Sequence, residues 1–162
     1  MIHPKLLMAT AILASVATIA CSDTTAPNQL APGGVSSKSS PRSGTLHVTK
    51  DCSAYFGRAG DTCTITSSNV KAIEAGTRII YASDAAFPLL DTDVVLDPPG
   101  PGNNKAFGHC ALNLQTGVGE CTLSGGTGKF TWIHARVDVS HLGGPTSPNF
   151  AWDGTYSFSP RD

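Results

Sequence analysis

The chain is poor in charge. Only 14% of its 162 residues are Asp, Glu, Lys or Arg, and 11 basic against 12 acidic side chains leave a formal net charge of −1. That balance gives no electrostatic case for nucleic acid or an anionic membrane surface as a partner. Helical periodicity is missing too. Beyond the N-terminus no long stretch repeats apolar residues every three to four positions, so no helix-bearing α/β pattern is present. No Gly-x-Ser-x-Gly elbow occurs, which removes the usual support for a hydrolytic Ser-His-Asp triad. Gly125 to Lys129 invite a phosphate-loop reading that fails on spacing. Leu123 stands where the first glycine is required, and Phe130 where Ser or Thr must follow the lysine.

One apolar run is present, and it is short. Lys5 precedes fifteen apolar or small residues, Leu6 to Ala20. A membrane span needs about 20, so the run reads as a signal peptide over residues 1–20. It ends in Thr18-Ile19-Ala20-Cys21, which resembles a bacterial lipobox, with Thr18 where Leu is commoner. Cys21 is therefore the expected lipidation site, and the protein is expected to be lipid-anchored in the bacterial cell envelope, at the outer membrane or cell surface. An ordinary secretory signal cut near Ala20 would instead release it. Residues 21–43 are dominated by Ser, Thr, Pro and Gly and carry too little apolar surface to offset the entropy of ordering. They read as a disordered tether reaching roughly 25 Å as a random coil.

Five cysteines are present, and lipidation of one leaves four, an even number that suits two disulfides in an oxidising compartment. Cys52/Cys63 and Cys110/Cys121 share the spacing C-x10-C. Sequence-local pairing is the expectation among three connectivities. Cys110 and Cys121 sit on the apolar parity of two alternating runs joined by a glycine-marked turn near Thr116-Gly117. A hairpin would place them nearly opposite each other.

Abundant glycine and proline (17 and 11) punctuate the remainder into candidate strands at 44–50, 61–67, 77–83, 90–96, 105–114, 117–124, 133–141 and 149–158, with one helical turn expected at Asn69 to Ala75. Residues 44–162 thus read as an all-β domain stapled by disulfides. An eight-stranded antiparallel up-and-down barrel is expected, with a β-sandwich as the alternative. The last strand is the clearest. Phe150, Trp152, Gly154, Tyr156 and Phe158 share one face, and four aromatics there must meet a core, a ligand or a partner.

Leu123-Ser124-Gly125-Gly126-Thr127-Gly128-Lys129-Phe130, followed by an apolar strand, resembles the corner of the allene oxide cyclase-like and dirigent-like β-barrels. The resemblance covers residues 104–158 and implies an eight-stranded barrel. That family includes cyclases and proteins that steer radical coupling, but no catalytic residue carries over position by position. Trp132 stands where the family has glycine. Cys63-Thr-Ile-Thr-Ser-Ser-Asn69 and Trp152-Asp-Gly-Thr-Tyr-Ser-Phe158 also resemble stretches of uncharacterised bacterial secreted proteins, which imply no function.

Metal sites are weakly supported. His47, His109, His134 and His141 lack tight ligand spacing, and Arg136 lies between His134 and Asp138 on their shared face. Asp91, Asp93 and Asp97 share a parity but lack the glycine and terminal Glu of an EF-hand loop. They read as charges keeping an edge strand soluble. No metal, cofactor or catalytic residue is expected. Tyr81, Phe150, Trp152, Tyr156 and Phe158 are the candidate ligand-facing residues. The sequence points to a binding module for a small apolar ligand or a protein. An isomerase or cyclase acting on an apolar substrate, and a purely structural surface protein, are the alternatives.

Overall fold

Strand-forming alternation covers most of the chain, and each alternating run becomes a strand. The computed structural model describes residues 42–144 and 146–159. The expected signal peptide, Cys21 and the tether up to residue 41 lie outside the described residues. Eight strands follow in order: β1 Ser43–Asp51, β2 Thr62–Ser68, β3 Arg78–Tyr81, β4 Leu89–Asp97, β5 Ala106–Asn113, β6 Val118–Gly126, β7 Ile133–His141 and β8 Asn149–Phe158. Every strand pairs antiparallel with its sequence neighbour, and β8 returns to β1, closing the barrel. The sandwich alternative is thereby excluded. So is the expected edge strand: β4 is hydrogen-bonded on both sides, and its aspartates do not guard an edge.

Loops 69–77, 98–105 and 127–132 lie with the start of β1 at one end, the N-terminal mouth. Loops 52–61, 82–88 and 114–117, with residues 142–144 and 146–148, form the opposite end. The expected helical turn at Asn69 to Ala75 is not helical. Ser68 Oγ accepts from the Val70 N–H, and Ile73 N–H donates to Val70 O, which makes a turn instead. The Asn69 side chain pins this loop to β1, accepting from His47 N–H and donating to Thr45 O.

The inward face is mostly aliphatic. Leu46, Ile65, Ile79, Leu96, Ile133, Val139 and Trp152 are essentially sealed from solvent. An eight-stranded barrel has an interior that side chains can just fill. Gly154 breaks the aromatic row for a steric reason: a Cβ there would lie 2.0 Å from Arg136 O on β7. Strict alternation fails once in β2. A bulge opposite Thr49 and Lys50 turns both Thr66 and Ser67 outward, and the Thr49 hydroxyl reaches both of theirs at 2.7 Å.

Both disulfides form as expected. Cys110 faces Cys121 directly across β5 and β6, with Cα atoms 4.1 Å apart. Cys52, one residue past β1, joins Cys63 on β2 at 4.2 Å. The connecting loop of the first pair turns at Gly117, whose φ is +67 and whose missing Cβ leaves room for His141.

The Gly-rich corner is built as a plug. Thr127 exchanges hydrogen bonds with Lys105 and donates to Asn103 O, while Phe130 is fully buried in the N-terminal mouth. Trp132 adopts φ +65, the left-handed region that a glycine at this position would occupy without strain.

Candidate functional site

The aromatic row of β8 divides between the two ends of the lumen. At the N-terminal mouth, Tyr156 and Phe158 meet edge to face, their ring centroids 5.8 Å apart. They line a pocket of about 650 Å³ together with Arg42, Val70, Lys71 and Lys129. Asn69, Ala72 and Glu74 complete the lining, so the rim carries three cations against one carboxylate. Glu74 accepts a hydrogen bond from Lys129 Nζ, leaving Arg42 and Lys71 as cations that no described residue pairs. An apolar floor under a positive rim suits an amphipathic ligand with an anionic group.

Trp152 lies deeper and is fully buried. On β1, opposite Phe150 and diagonal to Trp152, with the same inward parity as Leu46 and Val48, stands Lys50, only 2% exposed. Its Nζ donates to Tyr81 Oη at 3.0 Å and sits 4.6 Å from the Trp152 ring, with the Phe150 and Tyr81 rings at 5.6 and 5.7 Å. Aromatic faces attract an ammonium but do not replace its water. Burial lowers the Lys50 pKa to about 7. Burial likewise raises that of Tyr81, with Tyr55 adding to the effect. Cys63, being disulfide-bonded, has no S–H, so the Tyr81 hydroxyl is the donor in its 3.3 Å contact with Cys63 Sγ. Phe150 stacks on His141, ring centroids 4.3 Å apart. Both His141 nitrogens are buried without a hydrogen-bond partner.

Tyr55, from the loop between β1 and β2, covers this cluster. Its ring centroid is 4.7 Å from that of Tyr81, and its buried hydroxyl has no partner. Outside it lies a second pocket of about 380 Å³, lined by Tyr55, Phe56, Gly57, Ala85, Phe87 and Leu114. Phe56 and Phe87 are 79% and 74% exposed, an apolar rim unlike the charged mouth. Asp61 holds the loop by accepting from the Phe56 and Arg58 N–H groups, and these bonds lower its pKa.

The remaining candidates lie outside the lumen or make no ligand cluster. Arg78 faces outward, opposite to Tyr81, and pairs with Asp97. Asp91 and Asp93 each bond one ring nitrogen of His109, at 2.8 and 3.0 Å, an arrangement that needs the imidazolium. His47 pairs with Asp153, and Arg136 with Glu120. Among the described residues no cluster of three His, Cys, Asp or Glu is placed to hold a metal.

Of the five expected ligand-facing residues, the structure puts Tyr156 and Phe158 on an open pocket and Tyr81, Phe150 and Trp152 around Lys50. Lys50, Tyr55 and the cations of the mouth are additional. The signal for Lys50 was its parity with Leu46 and Val48, which places an amine on an apolar face. No family model, curated protein or solved structure matches this chain.

Proposed function

We propose that the protein is a binding barrel, lipid-anchored through Cys21 in the bacterial cell envelope, that takes a small amphipathic anion at its N-terminal mouth. The observation that carries this reading is the 650 Å³ pocket, with Tyr156 and Phe158 as floor and Arg42 and Lys71 among its rim. The two aromatic rings supply contact area with little rotamer entropy to lose. The rim cations orient the head group and draw it in from solution. Dodecanoate is a suitable probe. It is expected to bind with one-to-one stoichiometry by calorimetry, more weakly as salt rises, while Phe158→Ala weakens binding about tenfold. Equal binding by wild type and Phe158→Ala would remove the site, and a barrel inert to dodecanoate would favour a structural surface role. Anchorage is tested separately: Cys21→Ser should move the protein from the membrane fraction to the soluble one.

One observation favours an isomerase or cyclase of the allene oxide cyclase-like or dirigent-like type as the second reading. The lumen is not purely apolar, because Lys50 lies beside the aromatic row.

A further inference from the structure

The opposite end of the barrel holds a primary amine where a hydrated cation has no room. Lys50 makes one hydrogen bond, to Tyr81, and is otherwise enclosed by Trp152, Phe150 and Tyr81. None of the ion pairs among the described residues includes it. Lysines are almost never this buried without a charged partner, and an apolar enclosure favours the neutral, nucleophilic form. A route to it is built from apolar parts. The 380 Å³ pocket of Phe56, Phe87, Ala85 and Leu114 stands outside, and Tyr55, which lines it, lies against Tyr81, the hydrogen-bond partner of Lys50. Swinging the Tyr55 side chain breaks no hydrogen bond of its hydroxyl, because it has none.

We infer that Lys50 is a reactive amine site, at which a small apolar aldehyde or ketone admitted past Tyr55 condenses to an imine. The Nζ lone pair forms the C–N bond as the carbonyl π pair moves onto oxygen. One proton leaves nitrogen and one joins oxygen, giving a carbinolamine. The hydroxyl then departs with the second nitrogen proton as water, and C=N forms. One water is released and nothing is oxidised or reduced. The Tyr81 hydroxyl, 3.0 Å from Nζ, is positioned to pass the proton from nitrogen to oxygen. The apolar vestibule selects against charged carbonyl compounds such as glyoxylate. This site is independent of the N-terminal mouth, so either proposal can fail without the other.

The test uses the full chain with both disulfides intact. Substoichiometric hexanal and cyanoborohydride at neutral pH convert any imine to a stable secondary amine, and peptide mass mapping reads which lysines carry it. Lys50 should be alkylated at least tenfold faster than Lys71, Lys105 or Lys129, and glyoxylate should lose that preference. Tyr55→Ala should accelerate the Lys50 reaction severalfold. Hexyl groups confined to lysines other than Lys50, or a Lys50 rate no faster than that of Lys71, Lys105 or Lys129, would overturn the proposal, as would a Tyr55→Ala rate equal to wild type. The wild-type map decides the matter even if a variant fails to fold.

Discussion

The two ends of this barrel are made from the same eight strands and solve opposite problems. At the N-terminal mouth the cations Arg42, Lys71 and Lys129 stand on the rim in water, with aromatic rings beneath them. At the opposite end the arrangement is inverted: Phe56 and Phe87 are exposed on the rim, and the cationic side chain, Lys50, is inside. A rim charge keeps its hydration and attracts a counter-charge at little cost, whereas a buried amine loses its hydration and is driven toward neutrality. The difference teaches that the position of a lysine relative to the barrel wall, rather than its presence near aromatics, decides whether it recruits an anion or offers a lone pair.

The largest expected effect concerns the buried amine. With a folded pKa of about 7 against an ordinary 10.5, Lys50 binds protons less readily in the folded chain than in the unfolded one. The unfolded state therefore holds more protons between those values, and stability must rise with pH across that window and carry the full penalty below it. Lys50→Met should stabilise the protein by up to about 4 kcal/mol at pH 7, and denaturant titrations between pH 7 and 9 should show a wild-type gain of about 2–3 kcal/mol that the variant lacks. Parallel curves for the two proteins would mean that Lys50 is solvated.

Next come the staples, both of which bridge hairpins that turn at the end opposite the N-terminal mouth. Removing either disulfide by paired Ala substitution should cost about 2–3 kcal/mol in chemical denaturation. Only loss of Cys52–Cys63 frees the loop that bears Tyr55 and removes the sulfur that accepts from the Tyr81 hydroxyl. Hexanal labelling of Lys50 should accelerate in that variant and stay unchanged without Cys110–Cys121.

At the mouth, the expected tenfold loss of dodecanoate affinity in Phe158→Ala corresponds to about 1.4 kcal/mol. Lys71→Ser should cost severalfold and flatten the salt dependence, whereas neither change should touch Lys50 labelling. The smallest effect is outside the barrel. The hydrogen bond to Asp93, followed by the charge of Asp91, raises the His109 pKa above 6.5. A raised pKa contributes stability that is full below 6.5 and lost as pH climbs through the folded value. The site is exposed, so His109→Gln should cost no more than about 0.5 kcal/mol at pH 5.5, fading at pH 8.5. This slope is opposite in sign to that of Lys50, so pH separates the surface cation from the interior one.

Period-two alternation made the strands legible because a closed barrel keeps one face dry and the other wet along every strand. The ends of β7 and β8 coincide with the alternating runs 133–141 and 149–158, where Val and aromatic residues alternate cleanly with polar ones. Legibility fell at the bulge in β2, where Thr66 and Ser67 both face out, and at Asn69 to Ala75, where side-chain bonds from Ser68 and Asn69 favour a turn over a helix. The aromatic row was legible as a surface, but its division between an open pocket and a buried cage was not. Exposure at each ring depends on what the loops at either end bring over it.

The features legible in the chain are local: eight strands, the inward parity of most of them, the two C-x10-C spacings and the glycine-marked turns. These follow from alternation and backbone sterics over a few residues. Only the tertiary structure decided that β8 meets β1, that Phe130 plugs one end while Tyr55 caps the other, and that Lys50 lies against Trp152. The pairing of β1 with β8 and the Lys50–Trp152 contact join residues about a hundred positions apart. The physical reason is that a lysine's protonation is set by the whole enclosure around it, and that enclosure exists only once the barrel has closed.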